Sequence, residues 1–167
     1  MDTIWTLRDY AAERQVEIPG AEKNYTVRFA TMEAMIRAAG ELVDLFETWE
    51  NQHVFCMDVN QDMFLFDSKT GRLTFQAEKN IRGRGLELTE EQRIGFYSAP
   101  ELVLGEIVSV TAETQNWTLA MLLFALFYHG GHPLSGALSF SQIFMEPQDE
   151  YRWYATDGFF QYGREYL

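Results

Sequence analysis

Asp58, Asn60 and Asp62 occupy every second position in CMDVNQDMFLFDSKTGRLTF, residues 56–75. Carboxylate and amide oxygens at that spacing open the ligand series of a calcium loop. The series then breaks. Such a loop needs a Gly at its sixth position for a sharp turn and a bidentate Glu at its twelfth, and these positions hold Met63 and Lys69. An amphipathic helix should also follow, where this sequence predicts a hairpin. No metal site is expected here. The other candidates are weaker. His53, His129 and His132 have no Cys or carboxylate at ligand spacing, and the last two are expected to cap the end of a helix. Ser98 and Ser135 lack the Gly-x-Ser-x-Gly turn that presents a nucleophilic serine. Cys56 reads as a small buried hydrophobe rather than a nucleophile. Arg82, Gly83 and Arg84 make a basic spot in an acidic chain. The expectation there is a solvated loop, with docking of a phosphate or an acidic partner as the alternative.

The elements that must position these residues follow from periodicity and turn chemistry. A short helix is predicted over 5–15, capped by Thr6, with Leu7, Tyr10, Ala11 and the stem of Arg14 on one face. Pro19-Gly20 breaks it. A second helix starts near Thr31. Its Met32, Met35, Ile36, Ala39, Leu42, Val43, Phe46 and Trp49 follow the three–four spacing of a core-facing stripe. Residues 53–57 and 63–67 are strand-like. Ser68-Lys69-Thr70-Gly71 makes a hairpin turn, and Arg72–Gln76 returns. Residues 77–93 read as a polar loop. Pro100 opens a short helical turn, and 115–128 is a helix apolar on all sides, stopped by Gly130-Gly131-His132-Pro133. The segment from 137 is rich in Phe, Tyr and Trp and is expected to pack. The fold class is mainly α with a small β-hairpin, in a single domain over 1–167.

Composition limits the partners. With 25 acidic and 13 basic residues the net charge is −12, which argues against nucleic acid and against anionic membranes. The longest apolar run, Leu119–Tyr128, is too short to span a bilayer. The start shows no signal peptide, and a single cysteine excludes an internal disulfide and a Cys-rich zinc site. A cytoplasmic protein with a protein partner is the expectation.

Five stretches, in order, resemble parts of the protein kinase C-lobe. TLRDYAAERQ is similar to the short helix after the hinge, and residues 31–50 to the long helix before the catalytic loop. DVNQDMFLFDSKTGRLTF resembles the catalytic loop and its hairpin. GFYSAPELVLGE, with Ala99-Pro100-Glu101, resembles the segment ending in Ala-Pro-Glu. NWTLAMLLFALFYHGGHPLSG resembles the central buried helix and the loop after it. The likeness covers roughly 5–136, leaving 137–167 as an aromatic tail. The wording DVN and GGHPLSG is closest to bacterial serine/threonine kinase-like proteins.

The resemblance implies where phosphoryl-transfer chemistry would sit, and that it is lost. Asp58 falls on the catalytic Asp, which orients the substrate hydroxyl. The His-Arg before it is replaced by Cys56-Met57. The metal-binding Asn five positions on is replaced by Met63, a poor magnesium ligand. The metal-binding Asp of Asp-Phe-Gly falls on Ala77, with Glu78 one position away. The Asp that anchors the catalytic loop falls on Gln115. No Gly-rich loop followed by a Val-Ala-Ile-Lys-like strand is present, so the N-lobe is expected to be absent, and Gly83-x-Gly85 has no helix behind it to bind phosphate. The expectation is an inactive pseudokinase-like C-lobe, without cofactor, that acts as a binding or scaffolding module. The alternative is half of a split kinase completed by an N-lobe in trans. Without an N-lobe above them, Trp5, Met63, Phe64 and Phe66 are the candidates for an exposed apolar patch.

Overall fold

The computed structural model describes residues 4–11, 13–16, 25–28, 31–95 and 97–127, with the backbone alone at 11, 13–16 and 25–28. In chain order the elements are β1 (Ile4–Thr6), α1 (Leu7–Ala11), β2 (Glu13–Val16), β3 (Tyr25–Arg28), α2 (Met32–Asn51), β4 (Val54–Cys56), β5 (Phe64–Asp67), β6 (Arg72–Phe75), β7 (Ile81–Gly83), α3 (Glu90–Arg93), α4 (Pro100–Val103) and α5 (Ala112–Phe127). Single 3-10 turns cover Gln61–Met63 and Glu78–Asn80. The strands form three small antiparallel sheets, ordered β1-β5-β6, β2-β3 and β4-β7. The chain is therefore a mixture of helices and small sheets, and the expectation of one hairpin in a mainly helical chain understates its strand content.

Helix starts follow local chemistry. Thr31 Oγ1 accepts from the Ala34 N–H at 3.2 Å and caps α2. Thr6 Oγ1 accepts from the Asp9 N–H at 3.1 Å, the capping role expected of it. Thr89 and Gln92 make a reciprocal capping box on α3. Pro100 stands at the first turn of α4, where its missing N–H costs nothing.

Two expectations about the first half are corrected. The helix predicted over 5–15 is only α1, Leu7–Ala11. Residues before and after it are extended because they find strand partners: Trp5 lies opposite Phe66, and β2 pairs with β3 from Glu13↔Arg28 to Val16↔Tyr25. Tertiary pairing overrides a weak local helical pattern. In α2 the buried positions are Met35, Ala38, Leu42, Phe46 and Trp49. Met32, Ile36 and Val43, predicted on the core stripe, are exposed. The polar loop predicted over 77–93 contains β7 and α3. Pro19-Gly20, Gly130–Pro133, the side chain of Arg14 and the tail from 137 lie outside the described residues.

The core is built where α2, α5, α1 and the β1-β5-β6 sheet meet, and includes Leu7, Tyr10, Leu42, Phe64, Phe66 and Leu122. α5 is apolar around most of its girth because neighbours cover most sides: Met121, Leu122, Phe124, Ala125 and Leu126 are all buried. A smaller cluster, Phe55, Met57, Leu88, Leu102 and Val110, packs β4 against the later loops.

The β5–β6 hairpin owes its register to Asp67. Its Oδ1 accepts from the Lys69 N–H at 2.9 Å, its Oδ2 from the Thr70 hydroxyl at 2.8 Å, and its carbonyl from the Gly71 N–H at 2.7 Å. Gly71 turns the chain at φ 72°, a left-handed angle that suits glycine. Glu41 of α2 then accepts the Leu73 N–H at 3.2 Å through Oε2, so the outer edge of β6 is tied to the helix. Phe64 has two aromatic neighbours, with Phe75 at 5.2 Å and Phe46 at 6.5 Å between ring centroids. Phe64→Ala is expected to lower stability by about 3–5 kcal/mol, measured as a drop in the urea midpoint with unchanged slope.

Candidate functional site

The loop after β4 is held from two sides. β4 and β7 pair antiparallel, with Cys56 opposite Ile81. Where the ladder ends, Met57 N–H donates to the Asn80 carbonyl at 2.9 Å. The buried Asn80 side chain returns the bond, its Nδ2 donating to the carbonyls of Met57 at 3.0 Å and Asp58 at 3.3 Å. From the opposite side, Gln115 on α5 accepts the Cys56 N–H on its Oε1 at 3.1 Å. Gln115 is 3% exposed, and its Nε2 has no partner among the described residues. An amide there accepts as a carboxylate would and adds a donor that no described residue receives.

Asp58 sits at the crest of this loop with φ 47°, in the left-handed region. Asp tolerates that angle better than most residues because its short side chain can bond locally. The next residue, Val59, is buried in the core. Gly95 comes close to Asp58 from a distant part of the chain. A Cβ on Gly95 would lie 3.0 Å from Asp58 Oδ1 and 2.8 Å from Ser98 Oγ, so only glycine fits without displacement. The Gly95 N–H donates to Ser98 Oγ at 3.0 Å. Partial desolvation holds the Asp58 carboxyl above the usual range, and Lys79 opposes that shift. Beside it lies a cavity with room for about one water, lined in part by Cys56, Asp58, Tyr97, Ser98, Thr114 and Thr118. Burial pushes the Tyr97 phenol up to about 12. The Thr118 hydroxyl donates to the Tyr97 carbonyl at 3.0 Å.

Asp58, Asn60 and Asp62 do not converge on a common point. Asn60 Oδ1 accepts from the Asp62 N–H at 2.9 Å and caps the 3-10 turn. Asp62 Oδ1 pairs with Arg8 Nε at 2.8 Å, both side chains about half exposed. Among the described residues no group of three His, Cys, Asp or Glu gathers where a metal ion would sit. Met63 is half-buried against the core; its N–H donates to the Asn60 carbonyl at 3.2 Å, and its carbonyl accepts from Gln76 N–H at 2.9 Å. Ala77 is half-buried and precedes the Glu78–Asn80 turn, with no side-chain cap.

The apolar patch expected at Trp5, Met63, Phe64 and Phe66 is not exposed. Phe64 is 0% and Phe66 1% exposed. Trp5 and Met63 are half-buried on the same core. The covering comes from within: the Phe66 ring is 4.8 Å from that of Tyr10 on α1, and α2 supplies Phe46. No N-lobe is needed to shield them.

Cys56 is buried, and desolvation together with Asp58 pushes its thiol up to about 12, so it is unreactive at neutral pH. His53 is exposed at φ 54°. The Arg82 guanidinium donates to the carbonyls of Lys79 and Ile81, and Arg84 is exposed. Gly83 belongs to β7, and Gly85 follows it at φ 80°. His129, His132 and Ser135 lie outside the described residues. Sequence reasoning missed Asn80 and Gly95. Asn80 lies in no motif and Gly95 only opens the GFYSAPELVLGE stretch; each matters through a carbonyl or carboxylate far away in the chain.

No helix among the described residues is long and apolar enough to cross a membrane. No protein-family model matches the chain, and no curated protein matches it in sequence.

Two outcomes test the geometry of this loop. Asn80→Ala strands the Met57 and Asp58 carbonyls and is expected to cost about 2 kcal/mol, read by denaturant unfolding. The Cys56 thiol has its folded pKa raised from 9.0 to about 12, so its contribution to stability is fully present below pH 9 and lost as pH rises toward 12. Native protein at pH 8 should therefore resist a thiol reagent that labels it at once in urea.

Proposed function

We propose that this chain is a catalytically inactive, kinase C-lobe-like module that works by binding another protein. The observation that supports this reading most is the contrast within one loop. Backbone and buried side chains hold the loop's shape, through Asn80 on one side and Gln115 on the other. The residues at the two metal-binding positions of the resemblance are a thioether packed on the core and a methyl group, Met63 and Ala77. Phosphoryl transfer depends on positioning and on metal neutralisation of charge, so an Asp58 without those ligands supplies one part of several. The order of the other elements fits the same reading. A long capped helix precedes the loop, a hairpin follows it, the Ala99-Pro100-Glu101 segment opens α4, and the buried helix α5 anchors the loop from behind.

The second reading, half of a split kinase, is favoured by one feature: the Asp58 carboxylate is still present and solvent-accessible on its loop. The two separate cleanly in a thermal-shift titration with ATP and magnesium or manganese. An inactive binding module is expected to shift by less than about 1 °C, which corresponds to a few tenths of a kcal/mol. A shift of several degrees that disappears in Asp58→Ala would overturn the reading of a module that binds no nucleotide and favour the split kinase. A shift with calcium and none with ATP would replace both readings with a calcium-binding one.

A further inference from the structure

The outward face of α2 carries three features that no contact among the described residues explains. The first is an apolar stripe. At 100° per residue, Met32, Ile36 and Val43 fall within about 40° of one another, with Ala39, half-buried against the core, at their edge. Their sector lies about 90° from the buried Met35–Trp49 face. Met32 is 59% exposed, Ile36 60% and Val43 41%. The second is Gly40, beside that stripe in the middle of a 20-residue helix. Glycine there is disfavoured relative to alanine, and a Cβ on it would meet nothing within 4 Å. Packing among the described residues therefore gives no reason for a glycine. The third is charge. α2 holds Glu33, Glu41, Asp44, Glu47 and Glu50 against the single base Arg37, with no basic residue in its last turn. Acids at the C-terminal end oppose the helix dipole and repel one another. Arg37 pairs with Glu33 at 3.4 Å. Among the described residues none of Asp44, Glu47 and Glu50 has an ion-pair partner.

We infer that this face is a docking site for a basic amphipathic helix of another protein. Such a partner answers all three features together. Its apolar side covers Met32, Ile36 and Val43. Its backbone approaches closely over the notch that Gly40 leaves between Ile36 and Val43. Its lysines or arginines neutralise Asp44, Glu47 and Glu50. A second copy of the chain is the poorer fit, because two chains of net charge −12 repel. The inference deepens the binding-module reading and rests on it for the premise that the chain acts through a partner. ATP binding tests that premise, and peptide binding tests this site, so the two fail separately.

The probe is a labelled helical peptide of about 20 residues, long enough to span α2, built of leucine and lysine, with a leucine–glutamate peptide as control. Binding to the full chain is read by fluorescence anisotropy. The lysine peptide is expected to bind and the glutamate peptide not. Ile36→Ser with Val43→Ser, which leaves the charge intact, is expected to weaken binding by about tenfold or more. Gly40→Leu, filling the notch, should do the same. Gly40→Ala is expected to raise the melting temperature by about 2–4 °C. The proposal is overturned by equal binding to the double-serine variant, which would mean attraction by charge alone. A Gly40→Ala chain that melts lower would also sink it, since the glycine would then serve the fold. So would absence of peptide binding, or sedimentation as a dimer that Ile36→Ser dissociates.

Discussion

One hydrogen bond joins the two halves of the site: the Cys56 N–H to Gln115 Oε1, deep in the protein. It links the end of β4 to α5 across 59 residues of sequence. An unpaired N–H in that position would cost about 1–3 kcal/mol, so the docking of α5 stabilises the loop after β4 in this shape. Asn80 completes the clamp from the β7 side, and Asp58 is left at the crest in a left-handed conformation. The position of Asp58 beside Gly95, the burial of Val59 and the 3-10 turn capped by Asn60 all follow from a loop fixed at both ends. The exposed Arg8–Asp62 pair adds little by comparison, because surface ion pairs are worth about 0–1 kcal/mol.

Several parts of this architecture are readable from the chain itself. α5 announces itself by a long apolar run, and α2 by its three–four spacing and the Thr31 cap. The β5–β6 turn is written in Asp67, Thr70 and Gly71, whose local bonds need no help from elsewhere. Reading fails where the deciding partner is remote. Trp5 is extended because Phe66 is opposite it, and nothing near residue 5 says so. Ile81–Gly83 is a strand only because Val54–Cys56 offers an edge. On α2, the spacing alone cannot separate Ala38 from Ala39 or Leu42 from Val43, and the side that meets α5 and the sheet decides.

The same limit applies to the site. Asp58, Asn60 and Asp62 stand out by type and spacing, yet the structure gives them three unrelated tasks: a left-handed crest, a turn cap and a surface ion pair. Phe64 and Phe66 suggested an uncovered surface only if a missing lobe were their sole cover; Tyr10 and Phe46 supply it instead. Asn80 and Gly95 are invisible in the sequence because their meaning is a distance, 22 residues to Asp58 in one case and an absent Cβ in the other.

The Glu41–Leu73 bond reaches beyond the native state. It closes the outer edge of β6 with a carboxylate borrowed from a helix 32 residues earlier. Until α2 has docked, that edge offers an unpaired N–H beside Leu73 and Phe75, the arrangement that recruits strands from other molecules. The carboxylate of Glu41 is thus a guard on a strand edge as well as a tie between helix and hairpin.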